Sequence, residues 1–353
     1  MTGATTRPGG AATPADISVI MPVYNGAAFL ARSLPPLQAM LARGDIAELI
    51  VVDDGSTDDS AALAHAAQAR VIASGGRLGP GAARNLAALE AAGAILWFVD
   101  ADVVVRADAA VRIGARFGAD AGGAPLAALF GSYDDVPAAP NFCSQYKNLA
   151  HHHQHQRSAG PSASFWAGCG AVRSSVFAAV GGFDGARFAV PSIEDIELGG
   201  RMAAQGWPIL LDPAIQCTHL KVWRLGELLA TDIFRRAVPW SRLILERGGL
   251  RDELNVRRSE RWRAVLALLL LFSLLTPAYA PLLPALLPVL LLSAAAIGAN
   301  HRLFGVFRRH NGAAFALAAI GFHQVVYAYS SAAFACCWLT HHAGRGTRPG
   351  CSA

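Results

Sequence analysis

Asp100-Ala101-Asp102 directly follows the apolar run Ala94–Val99, and this pair is the chain's clearest candidate for chemistry. Open α/β sheets bind ligands at the carboxyl ends of their strands. In an extended chain, residues two apart point the same way, so both carboxylates could face one ion. A hard divalent cation takes one or two carboxylates together with the phosphate oxygens of a substrate. The alternative is a polar strand end that caps the next helix. A second acidic pair, Asp53-Asp54, closes another apolar run, Leu49–Val52. A third, Glu194-Asp195, opens a segment with helical spacing, where acids also suit the first turn for purely electrostatic reasons. The loop Gly75–Gly81 precedes a helical segment and could cradle phosphate through its N–H groups. Its spacing matches neither the Walker nor the dinucleotide pattern, and a plain flexible loop explains it equally well. His151, His152, His153 and His155 form a tract in which His151 and His155 share a helix face. No carboxylate partners stand nearby, so a polar helix is preferred there to a metal site.

The elements that would position these groups alternate. Ile17–Val23 reads as a buried strand stopped at Asn25-Gly26, and Ala27–Ala42 as a helix that Pro35-Pro36 should break or kink. Glu48–Asp54 is a strand, Asp59–Ala69 a helix capped by Ser56 and Thr57, Val71-Ile72 a short strand, and Ala82–Ala92 a helix. Ala94–Val99 is the fourth strand. Continuous apolar runs without a polar face are buried on both sides. This rhythm predicts an α/β fold, doubly wound around a mostly parallel sheet with helices on both faces. Gly206–Pro213, running on to Lys221, reads as the last strand. His219 at its end is a candidate ligand, with a structural histidine as the alternative.

Composition bounds the rest. Apolar residues make up 53% of the 353 positions and charged ones 16%, which is too greasy for an ordinary soluble enzyme. The net charge of +5 comes largely from arginines beside the apolar segments, pointing to a membrane surface. No interleaved aromatic and basic pattern supports nucleic-acid binding. Six cysteines lack Cys-x-x-Cys spacing, so neither zinc nor a disulfide framework is indicated, and a reduced, cytoplasmic catalytic domain is expected. Residues 1–15 read as a disordered leader. The expected division is 16–220 for the catalytic domain, 221–263 for interfacial amphipathic helices, 264–340 for a membrane region and 341–353 for a tail. Ala264–Ala299 and Asn311–Thr340 carry no charged residue. They predict a hairpin of spans over 264–280 and 282–299, bent at its prolines, and a third span over 313–339. Arginines 257, 258, 261 and 263 precede the hairpin and 302, 308 and 309 follow it, which places the catalytic domain on the cytoplasmic face of the inner membrane.

Met21-Pro22-Val23-Tyr24-Asn25, Val51–Asp58, Gly81-Ala82-Ala83-Arg84-Asn85 and Asp100-Ala101-Asp102 together resemble, in order and spacing, successive motifs of glycosyltransferase family 2. The resemblance implies a GT-A fold and a nucleoside-diphosphate-sugar donor. It assigns Pro22, Tyr24, Asp54, Arg84 and Asp100 to the nucleotide sugar, with Tyr24 stacking on the base and Asp54 binding it. Asp102, with Asp100 and a candidate His219, would hold Mg²⁺ or Mn²⁺ on the diphosphate. Phe165–Ala171 would be an acceptor-side loop, with Trp166 and Gly168 as its named residues. The Glu194-Asp195 pair would supply the general base, Asp195 by position and Glu194 as fallback. A sugar hydroxyl is a poor nucleophile near neutral pH, so a carboxylate must take its proton as it attacks. Arg235–Trp240 distantly resembles a Gln-x-x-Arg-Trp element of membrane glycosyltransferases and could form a lid. The expectation is an inverting transferase acting on a hydroxyl of a membrane lipid or lipid-linked glycan. A polyprenyl-phosphate acceptor, which needs no base, and a non-catalytic membrane scaffold are the alternatives.

Overall fold

The computed structural model describes residues 16–119, 125–248, 256–275, 278–279 and 281–345. The expected leader, Pro277 of the expected bend and positions 346–353 of the tail lie outside them. The chain divides into two compact units, one of residues 1–139 and 155–221, the other of 140–154 and 222–353.

In the first unit, β1 (Ile17–Val23), β2 (Glu48–Asp53), β3 (Arg70–Ala73) and β4 (Ile95–Val99) alternate with α1 (Ala27–Arg43), α2 (Ser60–Ala66) and α3 (Pro80–Glu90). Then follow β5 (Val103–Val105), α4 (Ala109–Gly118), β6 (Ala128–Tyr133), α5 (Phe142–Arg157, its last turn in this unit) and β7 (Gly160–Ser162). The unit closes with β8 (Cys169–Arg173), α6 (Ser174–Ala179), α7 (Glu194–Ala204) and β9 (Ile209–His219). Among the described residues nine strands form one sheet, ordered β3-β2-β1-β4-β8-β6-β9-β5, with β7 also on β9. β3, β2, β1 and β4 are mutually parallel, as the unbroken apolar runs predict. The expectation of a mostly parallel sheet fails beyond β4. β8 runs antiparallel to both β4 and β6, and β5 and β7 run antiparallel to β9, which leaves β6–β9 as the one further parallel pair. The sheet is therefore mixed.

The expected break in α1 is absent, and the helix continues through Pro35 and Pro36. Its buried residues Leu30, Leu34, Leu37 and Met40 recur at helical spacing in the sheet core. The two prolines deprive only the carbonyls of Ala31 and Arg32, which lie at exposed positions where water serves them. α2 is shorter than expected and is not capped by Ser56 or Thr57. Those residues instead hold Asn25: its N–H donates to Ser56 Oγ at 3.0 Å, and its Oδ1 accepts from Thr57 N–H at 2.8 Å.

The second unit is helical: the start of α5, then α8 (Leu225–Ala230), a π-helical segment (Thr231–Ala237), α9 (Val238–Glu246), α10 (Arg258–Ser273), α11 (Leu282–Ala299) and α12 (His301–Arg345). Tyr327 of α12 ties three helices together, its hydroxyl donating to Glu260 Oε2 of α10 at 2.8 Å and lying 3.2 Å from Asn300 Oδ1, just past α11. One described helix, His301–Ala343, is long and apolar enough to cross a membrane. It is interrupted at Gly312, whose φ of 82° and ψ of 177° are not helical. α10 ends at Ser273, inside the expected first span 264–280, of which residues 276, 277 and 280 lie outside the described ones.

Candidate functional site

Residues 100–102 do not continue the strand. They form a turn closed by Val103 N–H donating to Asp100 O at 3.0 Å. The turn is fixed from both sides: Asp100 N–H donates to Gly168 O at 3.2 Å, and Leu220 N–H to Asp102 O at 2.8 Å. The extended geometry expected of the two carboxylates is thus replaced, and they have different partners. Asp100 accepts from Arg84 Nη2 at 2.6 Å, while Asp102 lies 3.3 Å from His219 Nε2.

Arg84 joins the turn to the second acidic pair. Its side chain is buried on α3, and its Nη1 donates to Glu194 Oε1 at 3.3 Å, across 110 residues of sequence. One guanidinium therefore holds the end of β4 and the start of α7 together. Burial lowers the pKa of Arg84, but Asp100, Glu194 and Asp195 more than restore it, so it stays a cation. Burial raises the Asp100 carboxyl above its usual range, Arg84 offsets part of the rise, and Asp102 adds to it. At Asp102 burial pulls upward, yet the His219 hydrogen bond and charge, with Lys221, hold the carboxyl below the usual range.

Asp195 stands beside this bridge in the first turn of α7. Its Oδ2 accepts from Ala167 N–H at 3.2 Å and its Oδ1 from Ile196 N–H at 2.8 Å, fixing the carboxylate against the 164–168 loop. Burial, then the neighbouring Glu194, push its pKa up to about 7 against the pull of Arg84. A carboxylate titrating near neutrality is matched to general-base work. Close packing makes the arrangement possible. A Cβ on Gly199 of α7 would come within 2.3 Å of Phe165 N, and one on Gly168 within 2.6 Å of the Trp166 ring. Trp166 meets Tyr133 edge-on at 4.8 Å, and Tyr133 stacks on His219 at 4.7 Å, so a row of rings runs from the loop to Asp102.

The expected nucleotide residues lie at the ends of β1 and β2. Pro22 sits in β1 opposite Val52. Tyr24 is exposed, with the Arg77 guanidinium 4.1 Å above its ring. Asp54 is buried and accepts from Leu78 and Gly79 N–H, both at 2.8 Å, so in this state it holds the glycine-rich loop. Gly79 has a φ of +89°, and a Cβ there would strike Ala189 O at 2.3 Å, so the loop is built around that glycine. His155 of the histidine tract is buried, with Nδ1 3.0 Å from Gly131 O and its ring against Trp166, a packing role.

Sequence reasoning missed Tyr133 and Arg77. Tyr133 was within reach of the strand-end rule, since Tyr133-Asp134-Asp135 follows the apolar run 127–130. Arg77 gave no signal, because its position depends on how the loop folds back over β1. Among the described residues no three histidines, cysteines or acids form a metal cluster by themselves. Asp102 and His219 do converge, and a hard cation completes its shell with substrate phosphates, so this donor set fits such an ion.

A model of the family described as Glycosyl transferase family 2 matches residues 18–180. The succinoglycan biosynthesis protein ExoU of Rhizobium meliloti (strain 1021) is 38% identical over 97 residues, which are 26% of this chain and 28% of that relative. The succinoglycan biosynthesis protein ExoO of the same organism is 36% identical over 115 residues, 32% of each chain. The alignments thus span about a third or less of these curated relatives. Among solved structures, the mannosyltransferase PcManGT from Pyrobaculum calidifontis, in complex with GDP-Man and Mn²⁺, matches at 18% identity and a TM-score of 0.49 over 92% of this chain and 88% of that one. TarS of S. aureus, residues 1–349, matches at 17% identity and a TM-score of 0.46 over 88% and 90%.

Proposed function

Since the chain belongs to glycosyl transferase family 2 through residues 18–180, we propose that it transfers a sugar, with inversion, from a nucleoside-diphosphate sugar to a hydroxyl of a membrane lipid or lipid-linked glycan. In this reading the first unit is a GT-A domain, and residues 221–340 hold it at the cytoplasmic membrane face. The observation that carries the reading is the Arg84 bridge, which joins the Asp100 turn to Glu194, the neighbour of Asp195.

Donor and acceptor chemistry are divided between the two acidic groups. Asp102 and His219 would hold Mg²⁺ or Mn²⁺, which when bound would offset the charge that develops on the departing nucleoside diphosphate. Tyr24 offers its exposed ring to the base. Asp54 keeps the glycine-rich loop closed around the nucleotide, with lone pairs left for the base itself. Asp195 takes the proton of the acceptor hydroxyl as its oxygen attacks the anomeric carbon, and Trp166 with Gly168 shapes the acceptor side. A single displacement with one base inverts the anomeric centre. Arg84 holds Asp100 and Glu194 in place.

The test incubates the full chain, with divalent metal, with a panel of labelled nucleotide sugars and a total lipid extract. Label passing from one donor into the organic phase supports the reading. A chain that neither binds nor hydrolyses any donor refutes it in favour of a scaffold.

A further inference from the structure

We propose that Lys147, Asp232 and Arg236 of the second unit form a binding site for the phosphate group of a lipid. Lys147 projects from α5, and its Nζ bonds both oxygens of Asp232, at 2.6 and 2.7 Å. Asp232 and Arg236 stand one turn apart on the π-helical segment, with Arg236 Nη1 3.8 Å from Asp232 Oδ1. Isolated π-helical turns are rare and concentrate at functional sites.

The cluster is short of negative charge, with two cations around one carboxylate. Asp232 takes two of the three ammonium donors of Lys147. At 3.8 Å it draws no hydrogen bond from Arg236, whose side chain is 43% exposed and lies 6.0 Å from the centre of the Trp223 ring. Burial, and then the Arg236 charge, push the Lys147 ammonium down to about 8 despite Asp232. A guanidinium with free donors beside a partly buried ammonium is the pairing that recognises a phosphate.

A second observation points to a lipid. Tyr329 of α12, the long apolar helix, donates to Asp232 Oδ2 at 3.0 Å. Val325, one turn earlier on the same face, is exposed. Val325 on this apolar helix thus offers an apolar contact, one turn from Tyr329, for the hydrocarbon of a lipid whose phosphate meets the cations. The inference stands apart from the sugar-transfer reading, because it concerns binding by the second unit alone.

The experiment measures binding of labelled phosphatidylglycerol, a polyprenyl monophosphate and, as the uncharged control, diacylglycerol to the detergent-solubilised full chain. Arg236→Gln removes the exposed cation while leaving the buried Lys147–Asp232 pair intact, so it should fold. Wild type should prefer the phosphate-bearing lipids, and R236Q should bind them about tenfold more weakly, as expected for losing a charge-assisted bond, with diacylglycerol unchanged. Whichever of the two phosphate-bearing lipids binds more tightly identifies the source of the phosphate. Asp232→Asn should strengthen binding, whereas a purely structural ion pair would show no gain. Equal affinity for diacylglycerol and the phosphate lipids, or an R236Q variant that binds as wild type does, overturns the proposal and leaves the transfer reading untouched.

Discussion

Asp195 is held by two backbone amides in a half-buried turn, and its pKa of about 7 places its titration within the working range of an enzyme. Asp195→Asn should lower kcat by about 10²- to 10⁴-fold, the usual range for a positioned base, with the donor KM unchanged. The rate of the wild type should rise with pH to a plateau above about 7, as the base loses its proton. Stability follows the opposite sign. A carboxyl whose folded pKa is raised binds its proton more tightly when folded, so it adds stability below its ordinary pKa and loses that contribution as pH rises through about 7. The Tm of D195N should accordingly exceed that of wild type at pH 8 and not at pH 5, as read by thermal unfolding. Arg84 differs in kind. Arg84→Met leaves Glu194 buried without its cation and should destabilise the chain by about 3 kcal/mol or more, measured by urea unfolding.

At the scale of elements, the legible part of the fold was the part written in continuous apolar runs. β1, β2 and β4 are buried parallel strands, and their sequences have no polar face to confuse the reading. β5 and β7 have three residues each, too few for a period, and their pairing with β9 is a long-range choice that no local pattern records. The motif residues were readable one by one. The Arg84 bridge was not, because its ends are far apart in sequence and meet only through the sheet order. Nor was the turn at 100–102, which gives different partners to two carboxylates that the spacing alone would aim at one ion. The 164–168 loop carries its own prediction. Gly168→Ala puts a methyl into the Trp166 ring and should cost about 1–3 kcal/mol as overpacking. It should also raise the acceptor KM, while donor binding, followed by titration calorimetry, stays as in wild type.

At the scale of the molecule, the chain joins a mixed α/β unit to a helical unit that carries one long, largely solvent-facing apolar helix. Leu317, Val325, Trp338 and Leu339 are exposed on that helix, which is the surface the proposed membrane anchoring would cover. The full chain should stay in the membrane pellet after alkaline extraction, and replacing Leu317 and Leu339 by Glu should shift it toward the supernatant. In the proposed reading, acceptor activation and donor binding belong to separate acids of the first unit, and that division is the core of the account. It is tested most directly by measuring donor binding and sugar transfer side by side in Asp102→Asn and Asp195→Asn, with metal supplied. The account predicts that D102N loses metal-dependent donor binding, while D195N binds donor as wild type does and fails to transfer. A D195N enzyme that transfers at the wild-type rate, or a D102N enzyme that binds donor with undiminished affinity, would contradict it.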